Sequence, residues 1–302
     1  MFLGSQPQDF KSSNYPDLWF QSPYKTHSGE PILTIRTSKD ADNPLYWLKY
    51  EEGTDVFVGE RNSKIWVTWA ADSCFEDAGT FLMGSVMAIV AQLRGSTCLH
   101  GCAIVVDGAI IALLGPQGAG KSTSAAAFAN AGYPVAADDL ILISEGLDGP
   151  TVEPTYPVVR LWPSSVESLF GHEDALPRIT EGWDKRWLNL NEGGFRFQKE
   201  PLPLAALYIL SERTSDKSAP FITALSGAGA IIELIANSWA HYVAKPAFLA
   251  NQLRTLTRVS QCTPIRKIIP HSDITRLPNL CSLIVRDVRD IRAASCGLVS
   301  RK

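Results

Sequence analysis

The chain has 302 residues, of which 45% are hydrophobic and 20% charged, with a formal net charge of −3 at pH 7. Such a balance is typical of a soluble globular protein with one large or two smaller domains, and it excludes a disordered chain. Because there is no basic excess, we expect neither nucleic acid nor an anionic membrane as a partner.

The N-terminus and the cysteines favour a cytoplasmic protein. The N-terminus has no basic region followed by an apolar core, so no signal peptide is predicted. The longest apolar stretch, Phe81 to Leu93, is too short to span a bilayer. The cysteines form no C-x-x-C pair and have no histidine at zinc spacing, so we expect reduced thiols and no zinc site. They are Cys74, Cys98, Cys102, Cys262, Cys281 and Cys296.

Residues 1–75 are predicted to form a small β-rich module. Four short runs rich in aromatic and β-branched residues are separated by Ser, Asp, Asn and Gly. These runs are Ile32–Arg36, Leu45–Tyr50, Asp55–Val58 and Ile65–Ala70. From Phe75 to Leu93 the apolar residues recur at helical spacing, so a helix is predicted to join the module to a second domain, residues 76–302.

A predicted hairpin leads into a glycine-rich loop. The apolar runs Cys102–Val106 and Ala109–Leu114 are separated by Asp107-Gly108, a pair suited to the positive φ angles of a type I′ turn. Residues 115–122, Gly-Pro-Gln-Gly-Ala-Gly-Lys-Ser, then fit the pattern G-x-x-x-x-G-K-[ST]. A helix is predicted from Lys121 to Ala131, ending at Gly132.

This strand, loop and helix predict a binding site for the phosphates of ATP. Glycines let main-chain amides close around phosphate oxygens, and a helix N-terminus favours negative charge. The lysine of the pattern reaches the β- and γ-phosphates, and its serine hydroxyl meets Mg²⁺. The predicted phosphate-binding residues are Gly115, Gln117, Gly118, Ala119, Gly120, Lys121, Ser122 and Thr123.

A pair of carboxylates follows the predicted helix. Asp138 and Asp139 lie between the short run Pro134–Ala137 and the strand-like run Leu140–Ile143. Paired carboxylates suit Mg²⁺ plus a general base, since each raises the pKa of the other and a metal favours the ionised form. We therefore expect the pair to be catalytic.

Three cations beyond the acidic pair could stabilise a transferred phosphoryl group, which gathers negative charge on its equatorial oxygens. Arg160 follows a strand-like run, and Lys185 and Arg186 lie within Glu181–Phe197, which we interpret as a polar and aromatic loop. A strand is predicted at Ala205–Leu210.

The C-terminal third is predicted to be mostly helical. Helices are expected at Ile231–Trp239, at Phe248–Val259 after Pro246, and from Pro278 to Val288, with a strand at Ile265–Ile269. His241 and His271 lie outside any acid-rich cluster, so we interpret both as surface or packing residues.

Together these features resemble the catalytic core of the HPr kinase/phosphorylase family, in a branch that includes the kinases of lasso-peptide gene clusters. The motifs that carry the resemblance are His100-Gly101, the hairpin and loop, Gly132-Tyr133-Pro134 and Ala137-Asp138-Asp139. The resemblance is specific over residues 93–145 and looser over 157–283.

The resemblance implies an α/β fold, with an HPr kinase/PEP carboxykinase-like P-loop core built on a mixed sheet and preceded by the β-rich module. It implies that Asp138 accepts the proton of a substrate serine, that Asp139 and Ser122 hold Mg²⁺, and that His100 lies beside them. The family's glycine-rich segment after the acidic pair is replaced here by Thr155–Trp162. We therefore expect a forward kinase that does not use HPr.

Two classes of function remain open at this point. The first is an ATP- and Mg²⁺-dependent kinase of a hydroxyl, with a serine of a peptide or small protein as acceptor; the lasso-peptide branch implies a ribosomally made precursor peptide. A kinase of a free small molecule would use the same chemistry. The second is a nucleotide-hydrolysing switch whose β-rich module binds a partner. The paired aspartates favour the kinase, because a switch needs no base for a second substrate. A homo-oligomer is compatible with either class.

Overall fold

The computed structural model describes residues 1–8, 10–40, 42–59, 61, 63–147, 149–239 and 246–299, and only the main chain of residues 246–247 and 295–299. His241 and the side chain of Cys296 lie outside this description. The described part of the chain divides into two compact units, residues 1–94 and the described residues of 95–299. The division therefore falls at Arg94, whereas the sequence analysis drew it at residue 75.

The first unit is built on a six-stranded sheet in the order β1-β6-β5-β4-β3-β2. Its neighbours are antiparallel except β1 and β6. The four predicted strands are confirmed as β3 to β6, and the first two strands were not predicted. The strands are β1 (Phe2–Leu3), β2 (Asp17–Gln21), β3 (Leu33–Thr37), β4 (Tyr46–Tyr50), β5 (Asp55–Gly59) and β6 (Lys64–Thr68).

The predicted helix of residues 75–93 is three consecutive pieces that belong to the first unit. They are α1 (Phe75–Phe81), a π-helical segment (Leu82–Val86) and α2 (Met87–Leu93). Alternation of buried and exposed residues in β3 and β4 places one face of the sheet in a core.

The second unit is a mixed α/β fold around an eight-stranded sheet. Its strand order is β11-β10-β7-β8-β15-β17-β16, with β9 paired beside β10 on the same edge of β7. Strands β8, β15 and β17 are parallel, and β7, β10 and β16 run against their neighbours. The strands are β7 (Thr97–Val106), β8 (Ala109–Leu114), β9 (Val135–Ala137), β10 (Leu140–Gly146), β11 (Gly149–Glu153), β15 (Leu202–Leu210), β16 (Phe221–Leu225) and β17 (Ile265–Ile269).

Helices cover both faces of this sheet. Alternate residues of β8 enter two separate apolar clusters: Ile111 and Leu113 pack with one, Ile110 and Ala112 with the other. Burial on both faces explains why the strand reads as a continuous apolar run. The helices are α3 (Lys121–Asn130), α4 (Pro163–Phe170) and α7 (Leu277–Val299) on the first cluster and α5 (Gly227–Ala236) and α6 (Pro246–Cys262) on the second.

The predicted hairpin and loop-helix unit are confirmed. Asp107 and Gly108 both have positive φ (49° and 78°), as a type I′ turn requires, and they join antiparallel β7 and β8. The loop follows β8, α3 begins at Lys121, and Gly132 after the helix has a φ of 85°.

The segment Glu181–Phe197 is not a loop throughout, which corrects the sequence interpretation. Most of it is the strand β14 (Trp183–Asn189), which lies between β12 (Val158–Leu161) and β13 (Arg178–Thr180) in a three-stranded sheet. Its alternation is obscured because charged residues occupy both faces, Lys185 one and Asp184 and Arg186 the other.

The remaining C-terminal predictions hold for most elements. Helices α5, α6 and α7 and strand β17 are present. Helix α5 ends at Ala236, so Trp239, which was expected to be helical, lies outside it. Strand β16 was not predicted. His271 is half-buried, and its Nδ1 accepts a hydrogen bond from the Asp273 amide at 2.9 Å. No helix in the described part of the chain is both long and apolar enough to cross a membrane.

Candidate active site

The glycine-rich loop leaves its main-chain amides open. Gly118 and Gly120 have φ angles of 79° and 100°, a conformation that turns successive N–H groups toward one concavity. Within the described residues, no acceptor meets the N–H groups of Gly118 or of residues 120–123. Gly115 must be glycine for a second reason, because a Cβ there would lie 2.7 Å from the Leu210 carbonyl oxygen of β15.

Lys121 is held inside the loop. Its ammonium donates to the carbonyl oxygens of Gly115 at 2.7 Å and Pro116 at 3.0 Å. Burial lowers the pKa of Lys121, although the acidic pair acts in the opposite direction. The lysine side chain is thus preorganised in the concavity that the loop amides enclose.

The acidic pair lies at an irregularity in one strand. Strands β9 and β10 both pair antiparallel with β7, through Ala137 with Ala103 and Leu140 with His100. Between them Asp139 adopts a φ of 66°, a left-handed conformation uncommon outside glycine. In this short segment the Asp138 carboxylate meets the Ser122 hydroxyl and the Asp139 carboxylate meets the Arg160 guanidinium. Residues held in such sparsely populated conformations cluster at functional sites.

Asp138 joins the acidic pair to the loop. Its Oδ1 accepts a hydrogen bond from the Ser122 hydroxyl at 2.9 Å, and its Oδ2 accepts one from the Arg160 amide at 3.0 Å. The residue is 1% exposed. Burial, reinforced by the charge of Asp139, raises the pKa of Asp138 to about 6.

Asp139 is the more accessible of the two acids. Its carboxylate forms an ion pair with the Arg160 guanidinium, and its Oδ1 lies 3.9 Å from His100 Nδ1. Burial is the largest single influence and acts to raise the pKa of Asp139, but the combined effect of Arg160, His100 and Lys185 outweighs it, so the pKa is lowered. Ser122 was expected to act with Asp139, and the structure instead hydrogen-bonds it to Asp138.

His100 lies beside the acids, as the resemblance implied. Its Nδ1 is 3.2 Å from the Asp139 carbonyl oxygen, an acceptor that selects the tautomer protonated at Nδ1. Burial and the charge of Lys121 lower the pKa of His100, so the ring is neutral at pH 7.

A segment that the sequence analysis did not single out ties these parts together. The Asn237 side chain accepts from the Gly115 amide at 2.8 Å, and its carbonyl accepts from the His100 amide at 2.7 Å. The Trp239 indole donates to the Asp139 carbonyl and packs edge-on against His100. No local motif marks Asn237 or Trp239, because their partners lie about a hundred residues away in sequence.

The three predicted cations do not act alike. Arg160 binds Asp139 and is 5% exposed. The Lys185 ammonium lies 5.2 Å and 5.1 Å from the ring centroids of Trp162 and Trp183, and it acts electrostatically on Asp139. Arg186 points away from this cluster: it is buried and pairs with Asp174 at 2.8 Å. Period-two alternation along β14 puts neighbouring residues on opposite faces.

Other predicted loop residues have supporting contacts. Ala119 closes the loop by donating its amide to Pro116 at 3.2 Å, and the Thr123 hydroxyl pairs with Ser165 of α4 at 2.9 Å. Gln117 is exposed. Arg213, which lies three residues after β15, reaches the loop with its Nη2 3.4 Å from the Gly118 carbonyl oxygen.

The polar groups of the loop and the acidic pair fit a nucleoside triphosphate with Mg²⁺. Open amides and one buried ammonium suit phosphate oxygens, and a hydroxyl beside two carboxylates supplies the oxygen ligands that Mg²⁺ prefers. The buried cysteines do not belong to this set. Cys98 and Cys102 are fully buried, and the Cys102 thiol donates to the Lys121 carbonyl at 3.2 Å. Within the described residues there is no His, Cys, Asp and Glu cluster of the zinc type.

No protein-family model matches the sequence, and no curated protein is detectably similar to it. A solved structure does align. The Hpr(Ser) kinase/phosphatase from Coxiella burnetii is 15% identical, with a TM-score of 0.37, over 68% of this chain and 95% of that one. The chain is structurally similar to that protein.

Proposed function

We propose that this protein is an ATP- and Mg²⁺-dependent kinase that transfers the γ-phosphoryl group to a hydroxyl, with a serine of a peptide or small protein as acceptor. The observation that carries the proposal is the hydrogen bond from Ser122 to Asp138. It joins the phosphate-binding loop to the acidic pair, so a phosphate held by the loop lies beside two carboxylates.

The contacts support a division of labour between the acids. Ser122 and Asp138 would hold Mg²⁺, because their oxygens already lie 2.9 Å apart and both Asp138 oxygens are engaged away from solvent. When bound, the metal would neutralise charge on the phosphates. Asp139, the more accessible of the two acids, would receive the acceptor hydroxyl at Oδ1. This division exchanges the two roles that the family resemblance implies.

The transfer itself needs mainly positioning and positive charge. The acceptor oxygen bonds to the γ-phosphorus as the bond to the β-phosphate oxygen breaks, and the acceptor proton passes to Asp139. Lys121 and Lys185 both act electrostatically on the acidic pair and would stabilise the equatorial oxygens. Arg160 would act through Asp139, which it holds in place.

A peptide acceptor can be tested against the alternatives with one assay. The purified protein is incubated with ATP, Mg²⁺ and a panel consisting of serine-containing candidate precursor peptides, their Ser→Ala forms, free serine and HPr. Mass spectrometry then locates the phosphate. We expect phosphate on a peptide serine and on neither its alanine form nor HPr, with Lys121→Ala inactive and Lys199→Ala, an exposed control, fully active.

Other outcomes would contradict the proposal in distinct ways. Phosphate on free serine alone would indicate a small-molecule kinase. Phosphate release without any phosphorylated acceptor would favour the nucleotide-hydrolysing switch. Full transfer by folded Lys121→Ala would remove the loop from the mechanism.

A further inference from the structure

One face of the three-stranded sheet carries tryptophans interleaved with cations. Side chains alternate along β14, so Trp183, Lys185 and Trp187 share a face. Arg160 of β12 pairs directly with Trp187 and therefore lies on the same face. Continuing this register places Trp162 opposite Lys185, whose ammonium lies 5.2 Å from the centroid of the Trp162 ring. We call Trp162, Trp183 and Trp187 the tryptophan surface.

The two cations connect this surface to the acidic pair. Arg160 forms the ion pair with Asp139, and its guanidinium carbon lies 5.7 Å from the ring centroid of Trp183. Lys185 lies over the rings of Trp162 and Trp183 and acts electrostatically on Asp139. The tryptophan surface therefore begins beside the carboxylate that we propose to receive the acceptor hydroxyl.

The tryptophan surface leaves large apolar rings open to solvent. Trp162 is 46% exposed and Trp187 is 39% exposed, and Trp183 is half-buried. In the described part of the chain, no group accepts a hydrogen bond from the three indole N–H groups, and no cation lies over the ring of Trp187. Clustered apolar side chains bordered by charges are typical of interaction sites, and tryptophan is enriched among the residues that carry binding energy.

The position of the surface restricts what can lie on it. A serine whose hydroxyl reaches Asp139 extends its peptide on one side past Arg160. An extended peptide rises about 3.3 Å per residue, so side chains within about three positions of the serine reach the indoles. Apolar and aromatic side chains gain most from this contact, because they leave water and rings stack on indole. Basic side chains would meet Arg160 and Lys185 and be repelled.

We propose that the tryptophan surface binds the acceptor peptide and selects a serine that is flanked by aromatic or large apolar side chains. This inference rests on the proposed function, because it places the acceptor hydroxyl at Asp139. It gives a role to Trp162 and Trp187, which the transfer step does not use. The acceptor class is thereby narrowed from any serine-containing segment to an apolar one.

Three synthetic peptides that differ only beside the serine test this preference. Each is a Gly-Ala peptide with one central serine, and the second and third positions on both sides are phenylalanine, alanine or lysine. We expect kcat/KM on the whole protein, with ATP and Mg²⁺, to be about tenfold higher for the phenylalanine peptide than for the alanine peptide. The lysine peptide should be the poorest substrate of the three.

Variants of the surface should remove the preference itself. Trp187→Ala and Trp162→Ala should each lower the ratio of kcat/KM between the phenylalanine and alanine peptides, and Trp187→Phe should keep most of it. Using this ratio cancels any effect of a variant on the chemical step. Leu253→Ala is the matched control, because Leu253 is 47% exposed on α6 and should leave the ratio unchanged.

Binding measured without transfer separates this inference from the proposed function. Dissociation constants for the Ser→Ala forms of the phenylalanine and alanine peptides are measured by calorimetry on the same variants, and we expect the same preference. Equal affinity and equal kcat/KM for the two peptides would overturn the tryptophan surface, as would a preference that survives in both Trp187→Ala and Trp162→Ala. If the proposed function alone fails, the phenylalanine peptide still binds more tightly but no serine receives phosphate.

Discussion

The Ser122 hydroxyl donates a 2.9 Å hydrogen bond to Oδ1 of Asp138, and this contact joins two motifs that are separate in the sequence. The serine stands at the start of α3, and the aspartate in the short segment between β9 and β10. Both positions lie at the same edge of the sheet because β8 and β9 each run antiparallel to β7. The predictions below depend on this relationship and on the contacts around it.

Replacing each acid by its amide should separate metal binding from chemistry. Asp138→Asn removes a carboxylate beside Ser122, so we expect a higher Mg²⁺ requirement and recovery of activity at high Mg²⁺. Asp139→Asn removes the acceptor for the proton, so we expect kcat to fall about 10²- to 10⁴-fold at every Mg²⁺ concentration. Steady-state kinetics across a Mg²⁺ titration would show both effects. The reverse pattern would restore the roles implied by the family resemblance.

Asp138 should make the metal-free protein less stable as the pH rises. The folded-state pKa of about 6 exceeds the ordinary 3.8, so the folded state favours the protonated acid. This favourable contribution is complete below pH 3.8 and is lost as the pH rises through 6. The shift corresponds to about 3 kcal/mol at most. Asp138→Asn should therefore be more stable than the parent at pH 8, with the difference vanishing near pH 4.

Urea unfolding at several pH values, without metal or nucleotide, would measure this difference. Glu192→Gln is a suitable control, because Glu192 is exposed and should change stability little at any pH. A constant difference between Asp138→Asn and the parent across this pH range would contradict the burial of an ionisable carboxylate.

The adjacent residues Lys185 and Arg186 should give opposite phenotypes. Lys185→Ala removes a cation beside Asp139, so we expect phosphoryl transfer to fall about 10²-fold with little change in unfolding free energy. Arg186→Ala leaves Asp174 without its partner and opens a buried site, so stability should fall while the activity of the folded fraction persists. Activity and thermal unfolding measured on both variants provide the comparison. Loss of transfer in stable Arg186→Ala would place the catalytic cation on the other face of β14.

Asn237 should be required for the shape of the loop. Asn237→Ala leaves the buried Gly115 amide without its acceptor, which costs about 1–3 kcal/mol in comparable sites. We expect a lower unfolding free energy and weaker tripolyphosphate binding. Asn237→Asp keeps an acceptor oxygen and should recover most of the binding. Equal losses of tripolyphosphate binding in both variants would show that an acceptor oxygen at residue 237 is not sufficient to hold the loop.

Local sequence signals were sufficient to predict the loop, its hairpin and most of the strands and helices. Asp107-Gly108, the three loop glycines and the apolar run of β8 each prescribe their conformation through contacts with near neighbours. The acidic pair could also be selected, because its chemistry is visible in residue type and in its distance from the loop.

Tertiary structure decided which of these groups meet. Ser122 bonds to Asp138 and not Asp139 because the main chain at Asp139 is left-handed and the two carboxylates meet different partners, and no residue pattern encodes that conformation. Lys185 and Arg186 are chemically similar neighbours, and only the pairing of β14 with β12 sends one to the acids and the other to Asp174. Asn237 and Arg213 reach the loop from elements far away in sequence, where strand order alone brings them close.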